Sequence, residues 1–180
     1  MSNPKTFVTE GIVLKRVNVA ETDRIVTFLT RDFGKLVGVA KGVRSLKSSK
    51  RAHLEPGNYL KIFGVYTKNL PLITQTSLLD DVHSSRTSLI GVRQLTQVLE
   101  VFDRLFVEGD IDQPAYAKAV EIRRALFSRS AYKKMQTLLG SLLEHLGYQD
   151  YQETPHASVL DYVAEISEKQ MKSFEFLQVK

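Results

Sequence analysis

The chain contains no cysteine. Disulfide stapling, thiolate catalysis and cysteine-ligated zinc are therefore excluded, and the composition fits a reducing compartment. None of its 180 residues falls in an apolar run approaching the ~18 residues that a membrane span needs. The opening Met-Ser-Asn-Pro-Lys has no hydrophobic segment of the secretory kind. The expectation is a cytoplasmic protein with no membrane association. Catalytic motifs are equally scarce. In Gly38-Val39-Ala40-Lys41-Gly42-Val43-Arg44-Ser45 the glycines are separated by three residues rather than four, and no Lys-Ser/Thr follows the second. This is not the phosphate loop of nucleotide hydrolases. There is no Gly-x-Ser-x-Gly elbow and no dinucleotide fingerprint. The four histidines, His53, His83, His145 and His156, show no i, i+4 pairing, so no metal site is expected. Glu21 with Asp23, and Asp80, Asp81 with His83, read as turn and helix-start caps. Without a nucleophile, base and oxyanion set, the expectation is a binding protein rather than an enzyme, with no cofactor.

What is present is positive charge, unevenly placed. The net charge is +5, but residues 1–80 hold 13 Lys/Arg against 6 Asp/Glu, and residues 81–180 hold 12 against 14. A basic half beside a near-neutral half suggests that the first meets a polyanion, because Lys and Arg that neutralise phosphates release counterions. The plainer reading is a basic surface kept for solubility. The charge is densest from Lys35 to Arg51, where six Lys/Arg stand among Gly and Ser with no acidic residue. Such a stretch offers amides, hydroxyls and cations to an anion together.

The first eighty residues read as strands. Residues 7–19 are β-branched and apolar, with a bend expected at Gly11. Residues 24–30 follow, closed by Arg31-Asp32-Phe33-Gly34, which has the residues of a hairpin turn. Residues 35–41, 59–66 and 71–79 complete five strands, with Glu55-Pro56-Gly57-Asn58 and Lys68-Asn69 as breaks. Five short strands suggest a small antiparallel barrel rather than a sandwich. The oligonucleotide-binding (OB) barrel is the natural candidate, with residues 46–54 as loop or at most one helical turn. On the fourth strand alternation puts Leu60 and Ile62 inside and Tyr59, Lys61 and Phe63 outside. That outer row either stacks bases and pairs a phosphate or is covered by the rest of the protein.

From His83 the period changes to three and four. Leu95, Val98, Leu99, Phe102, Leu105 and Phe106 form one stripe, ended by Gly109. Asp112 caps a second helix with Tyr116, Val120 and Phe127 inward, a third runs from about Ser130 to Gly147, and a fourth is expected to start at Thr154-Pro155. The architecture is α+β with segregated halves: an OB-type barrel over residues 1–80 and a helical bundle over residues 81–180. On the helices, Arg123, Arg124, Arg129, Lys133 and Lys134 make a second basic cluster. It is either a solvated face or a pocket for an acidic peptide.

Thr9-Glu-Gly-Ile-Val-Leu14, Glu21-Thr-Asp-Arg-Ile-Val-Thr-Phe-Leu-Thr30, Gly34-Lys-Leu36 and Val39-Ala-Lys-Gly-Val-Arg44 occur in this order. Together they resemble the opening of the bacterial recombination mediator RecO family. The resemblance covers about the first eighty residues and implies an N-terminal OB barrel with a helical domain after it. It further implies DNA repair and recombination: binding of single- and double-stranded DNA, strand annealing, and recombinase loading on strands covered by single-strand-binding protein. Partners implied are RecR and the acidic tail of single-strand-binding protein. Some family members carry a four-cysteine zinc site, which this chain lacks. It is also shorter than usual members, with the difference falling beyond about Gly147.

On this reading Lys35, Lys41, Arg44, Lys47, Lys50 and Arg51 contact DNA phosphates, Lys15 and Arg16 extend the patch, Tyr59 and Phe63 stack bases, and Lys61 between them pairs a phosphate. Arg123, Arg124, Arg129, Lys133 and Lys134 are the candidate partner-binding residues. Two rival readings are an interaction scaffold whose barrel is merely basic, and an OB protein that binds RNA.

Overall fold

The computed structural model describes residues 5–45, 50–82, 88–109, 111–126 and 131–168. Five strands, β1 (Thr6–Val19), β2 (Asp23–Thr30), β3 (Gly34–Ala40), β4 (Tyr59–Val65) and β5 (Leu72–Asp80), close into a barrel in the order β1-β2-β3-β5-β4. Every neighbouring pair is antiparallel except β3 with β5, which meet in parallel at Val39 and Leu72. This is the OB arrangement, and with the helices that follow it makes an α+β chain.

Alternation builds the barrel core. Phe7, Val13, Val26, Phe28, Leu36, Leu60, Ile62 and Ile73 point inward and are buried together. Closure depends on Gly38. A Cβ there would lie 2.7 Å from Ile73 Cδ1 and 3.2 Å from the Pro71 carbonyl oxygen, so a larger residue would displace Ile73 and crowd the approach of β3 to β5. The hairpin turn after β2 is fixed by Thr30, whose hydroxyl donates to Gly34 O at 2.8 Å and accepts from Phe33 N–H at 3.1 Å.

The irregularity of β1 falls between Val13 and Lys15 rather than at the expected Gly11. Gly11 keeps its pairing with both Thr30 and Leu60. β1 leaves β4 after Ile12 and continues on β2 alone. The extra residue, Leu14, lets the strand change course there.

Between β3 and β4 lies α1 (Lys50–His53), a single turn. Asn58 Nδ2 holds it by donating to Ala52 O and His53 O, both at 3.0 Å.

The helices are α2 (Leu89–Leu105), α3 (Gln113–Ala125), α4 (Ala131–His145) and α5 (Val159–Ile166). The expected stripe of α2 buries Leu95, Val98, Leu99 and Phe102. Asp112 caps α3 by accepting from Ala115 N–H at 2.8 Å. On α3 Tyr116 is buried and Val120 half-buried, with Ala115, Ala119 and Ile122 completing the inward face; Phe127 lies outside the described residues. The fourth helix starts at Ser158 rather than Thr154. Thr154 instead closes a 3-10 turn over Tyr151–Glu153, its hydroxyl donating to Tyr151 O at 2.6 Å. Ser158 takes the cap, accepting from Asp161 N–H at 3.3 Å.

The chain divides into two compact units, Met1–Asp81 with Phe106–Ile111, and Val82–Leu105 with Asp112–Lys180. The short return segment is stitched to the turn before β3. Lys35 N–H donates to Val107 O at 2.8 Å and Gly109 N–H to Phe33 O at 3.2 Å.

Candidate nucleic-acid interface

The basic loop leaves β3 in a fixed direction because the Glu21-Thr22-Asp23-Arg24 stretch holds it. The Asp23 carboxylate accepts Gly42 N–H at 2.8 Å, and Thr22 O accepts Arg44 N–H at 2.9 Å. Gly42 sits at φ +64°, in open space, where a side chain would be strained by backbone geometry alone. Ser45 Oγ donates back to Gly42 O at 2.9 Å. Two of the four stretches that carry the family resemblance, Glu21–Thr30 and Val39–Arg44, are thus hydrogen-bonded to each other.

The far end of the loop is held by an ion-pair cluster. Arg24 is buried, its side chain 5% exposed. It donates to Asn18 Oδ1 at 3.1 Å, Glu55 Oε1 at 3.4 Å and Arg51 O at 3.5 Å. Arg16 Nη2 reaches the other Glu55 oxygen at 2.9 Å. Burial, then the nearby Arg16 charge, pull the Arg24 pKa down, while Glu55 pulls it up. One carboxylate therefore serves two guanidinium groups at the barrel mouth.

The bulge decides which cations are engaged this way. Beyond it Arg16 pairs with Val26, a core residue, and Arg24 shares the inward parity of Val26 and Phe28. Lys15 is left exposed on the other side. Of the expected phosphate contacts, Lys15, Lys41, Arg44 and Arg51 are exposed around this clasp. Arg44 also donates from Nη1 to Ala20 O at 3.3 Å. Lys35 is half-buried on the outer face of β3. Arg16 lies inside the clasp, tied to Glu55. Lys50 opens α1, and Lys47 lies outside the described residues.

The β4 row lies outward as alternation requires, but it is not one-signed. Tyr59 hydroxyl donates to Glu10 Oε2 at 2.8 Å, and Lys61 stands opposite Glu10 in the register. Arg31 approaches the same carboxylate at 3.9 Å. Lys61 Nζ lies 5.8 Å from the Phe63 ring centroid, a cation–π contact. Tyr59 and Phe63 are half-buried and Lys61 exposed.

The basic cluster on the helices is not one surface. Arg123 is 1% exposed. It is inward because it follows Ala115, Tyr116, Ala119 and Ile122 at helical spacing. Arg124, Lys133 and Lys134 are exposed, and Arg129 lies outside the described residues. The sequence reading missed Arg24, Glu55 and Asp23 as the parts that shape the loop. Parity with Val26 and Phe28 is the signal that finds Arg24.

Among the described residues no helix is long and apolar enough to cross a membrane. Residues 1–82 match the family described as "Recombination protein O N terminal". The chain is 31% identical over 146 residues to the "DNA repair protein RecO" of Roseiflexus sp. (strain RS-1), covering 81% of this chain and 51% of that protein. It is 38% identical over 104 residues to the protein of that name in Chloroherpeton thalassium, covering 57% and 40% respectively. With that of Syntrophomonas wolfei it shares 30% over 142 residues, covering 78% and 56%. The chain spans about half the length of the curated relatives it matches.

Proposed function

We propose, from the match of residues 1–82 to the recombination protein O N-terminal family, that the barrel unit of this chain binds DNA in recombinational repair. The observation that carries the reading is the basic loop itself. Lys41, Arg44 and Arg51 are exposed around a rigid mouth whose carboxylates, Asp23 and Glu55, are already committed to the loop's own backbone and to Arg16 and Arg24. Glu21, beside Thr22, is exposed at the same end, so a polyanion approaching it meets the three exposed cations Lys41, Arg44 and Arg51 against that one neighbouring acid. Lys15 and Lys35 extend the patch, and Lys47 and Lys50 belong to the same basic run of sequence.

The finer activity we propose is annealing of complementary strands and assistance to recombinase loading on strands covered by single-strand-binding protein. Annealing requires only that two repelling backbones be neutralised and brought together, so it needs neither bond-breaking chemistry nor a cofactor. RecR and the acidic tail of single-strand-binding protein are the proposed partners, single- and double-stranded DNA the ligands, and the cytoplasm the place of action. Arg124, Lys133 and Lys134 are the exposed helical cations available to an acidic tail.

The test is annealing of complementary strands followed by fluorescence. The chain is expected to accelerate annealing, and substitution of Lys41, Arg44 and Arg51 by Ala to remove the acceleration. On coated strands the effect is expected to require the acidic tail. No acceleration of bare strands would overturn the annealing reading, and equal acceleration of RNA would move it to the RNA-binding alternative.

A further inference from the structure

β3 and β5 close the barrel through one parallel pairing, in which Val39 N–H donates to Pro71 O at 2.8 Å. Four residues earlier Lys35 N–H points the same way, to Val107 O. Alternate residues of an antiparallel strand turn their polar groups to the same edge. Val37, midway between, therefore presents both its N–H and its C=O to the seam. Its counterpart there is Pro71, which has no N–H to give. Among the described residues neither Val37 group has a hydrogen-bond partner.

This open residue faces a groove of about 470 Å³, lined among others by Phe33, Lys35, Tyr66, Pro71 and Glu108. Tyr66 is 40% exposed, and its ring is braced by Phe7 at 4.9 Å between centroids. The edge is one residue long, closed at one end by Val107 and at the other by Pro71. An added peptide strand needs a longer row of main-chain groups. A nucleobase needs less, because its Watson–Crick edge carries a donor and an acceptor side by side.

Charge sorts the ligand further. Glu108 and Asp32 line the groove and repel a phosphate, but they admit a neutral base. Lys35 lies beside it, on the same outer face as Val37 and Val39. Six residues further along, roughly 20 Å of strand, Lys41 begins the basic loop.

We infer that the seam groove is a subsite for one unstacked base of a single strand, its edge paired with Val37 N–H and C=O, its face on Tyr66 and its flanking phosphate at Lys35. The inference rests on the DNA-binding reading and gives it a polarity: backbone along the loop and β3, base at the seam.

The test is fluorescence anisotropy with the full chain at one moderate salt concentration, using three strands of equal length. These are oligothymidine, oligo-N3-methylthymidine, whose edge donor is blocked, and an abasic backbone. Oligothymidine is expected to bind about tenfold tighter than the abasic strand, with most of that preference lost on N3-methylation. In Tyr66→Ala the preference is expected to disappear while abasic binding stays unchanged. Equal binding of all three strands would overturn the subsite and leave the DNA-binding reading intact, and no binding to any strand would overturn both. A preference that survives N3-methylation, or one that survives Tyr66→Ala, would overturn the site as assigned.

Discussion

The barrel unit and the helical unit both carry runs of Lys and Arg, yet the runs have opposite fates. In the barrel most of the run lies on a loop held by Asp23 and Glu55, and Lys41, Arg44 and Arg51 of it face solvent. In the helical unit the run is divided. Successive residues on a helix turn by about 100°, so Arg123 enters the core and Arg124 stays outside. Elsewhere in this unit Arg104 pairs with Glu100 at 2.7 Å, and the rings of His145 and His156 are hydrogen-bonded to Asp112, at 2.5 Å, and to Glu165. A count of charges along a sequence is therefore a guide to an interface on a loop and a poor one on a helix.

The largest test of this contrast is Arg123 against Arg124. Arg123→Glu places an acid in the helical core and is expected to cost about 3 kcal/mol or more in urea unfolding, whereas Arg124→Glu should stay within about 0.5 kcal/mol. Equal effects would put both on one surface and restore the single basic patch. Next in size is Glu55→Gln. It leaves the buried Arg24 and the half-exposed Arg16 without their carboxylate, and a loss of about 2 kcal/mol is expected, smaller than for a fully buried pair because Glu55 keeps some water. With Arg24→Met in the same chain the loss should be less than the sum of the two single changes. Additivity would mean that Glu55 does not act through Arg24.

The smallest effect concerns acid. Asp112 is held below its ordinary carboxyl pKa of 3.8, first by its bond with His145 and then by Ala115 N–H. A depressed carboxyl pKa adds stability above the unfolded value and loses it as pH falls through the folded one. Asp112→Asn should therefore destabilise the chain at pH near 5, with the difference from the parent narrowing below about pH 4. A difference that stays constant in acid would show that the carboxylate's charge plays no part in the cap.

Much of the barrel is legible in the sequence because alternation is local. Leu60 and Ile62 against Lys61, and Leu36 against Lys35, show their faces two residues at a time. The bulge at Leu14 is not legible, since it arises where β1 exchanges one partner strand for two and back to one. That exchange moved Arg16 from the expected outer patch into the clasp. The start of α5 was obscured by two adjacent polar caps, Thr154 and Ser158, of which tertiary packing uses the second for the helix. The return of Val107 and Gly109 to the turn before β3 leaves no local trace, and neither does the seam groove, which depends on it.

The most direct measurement of the central claim is the salt dependence of DNA affinity in two triple variants. Replacing Lys41, Arg44 and Arg51 with Ala should lower the slope of log K against log salt by about 3, at roughly 0.9 per phosphate contact. Replacing Arg124, Lys133 and Lys134 with Ala should leave the slope unchanged. Equal slopes in the parent and both variants, or a loss confined to the helical variant, would contradict the account.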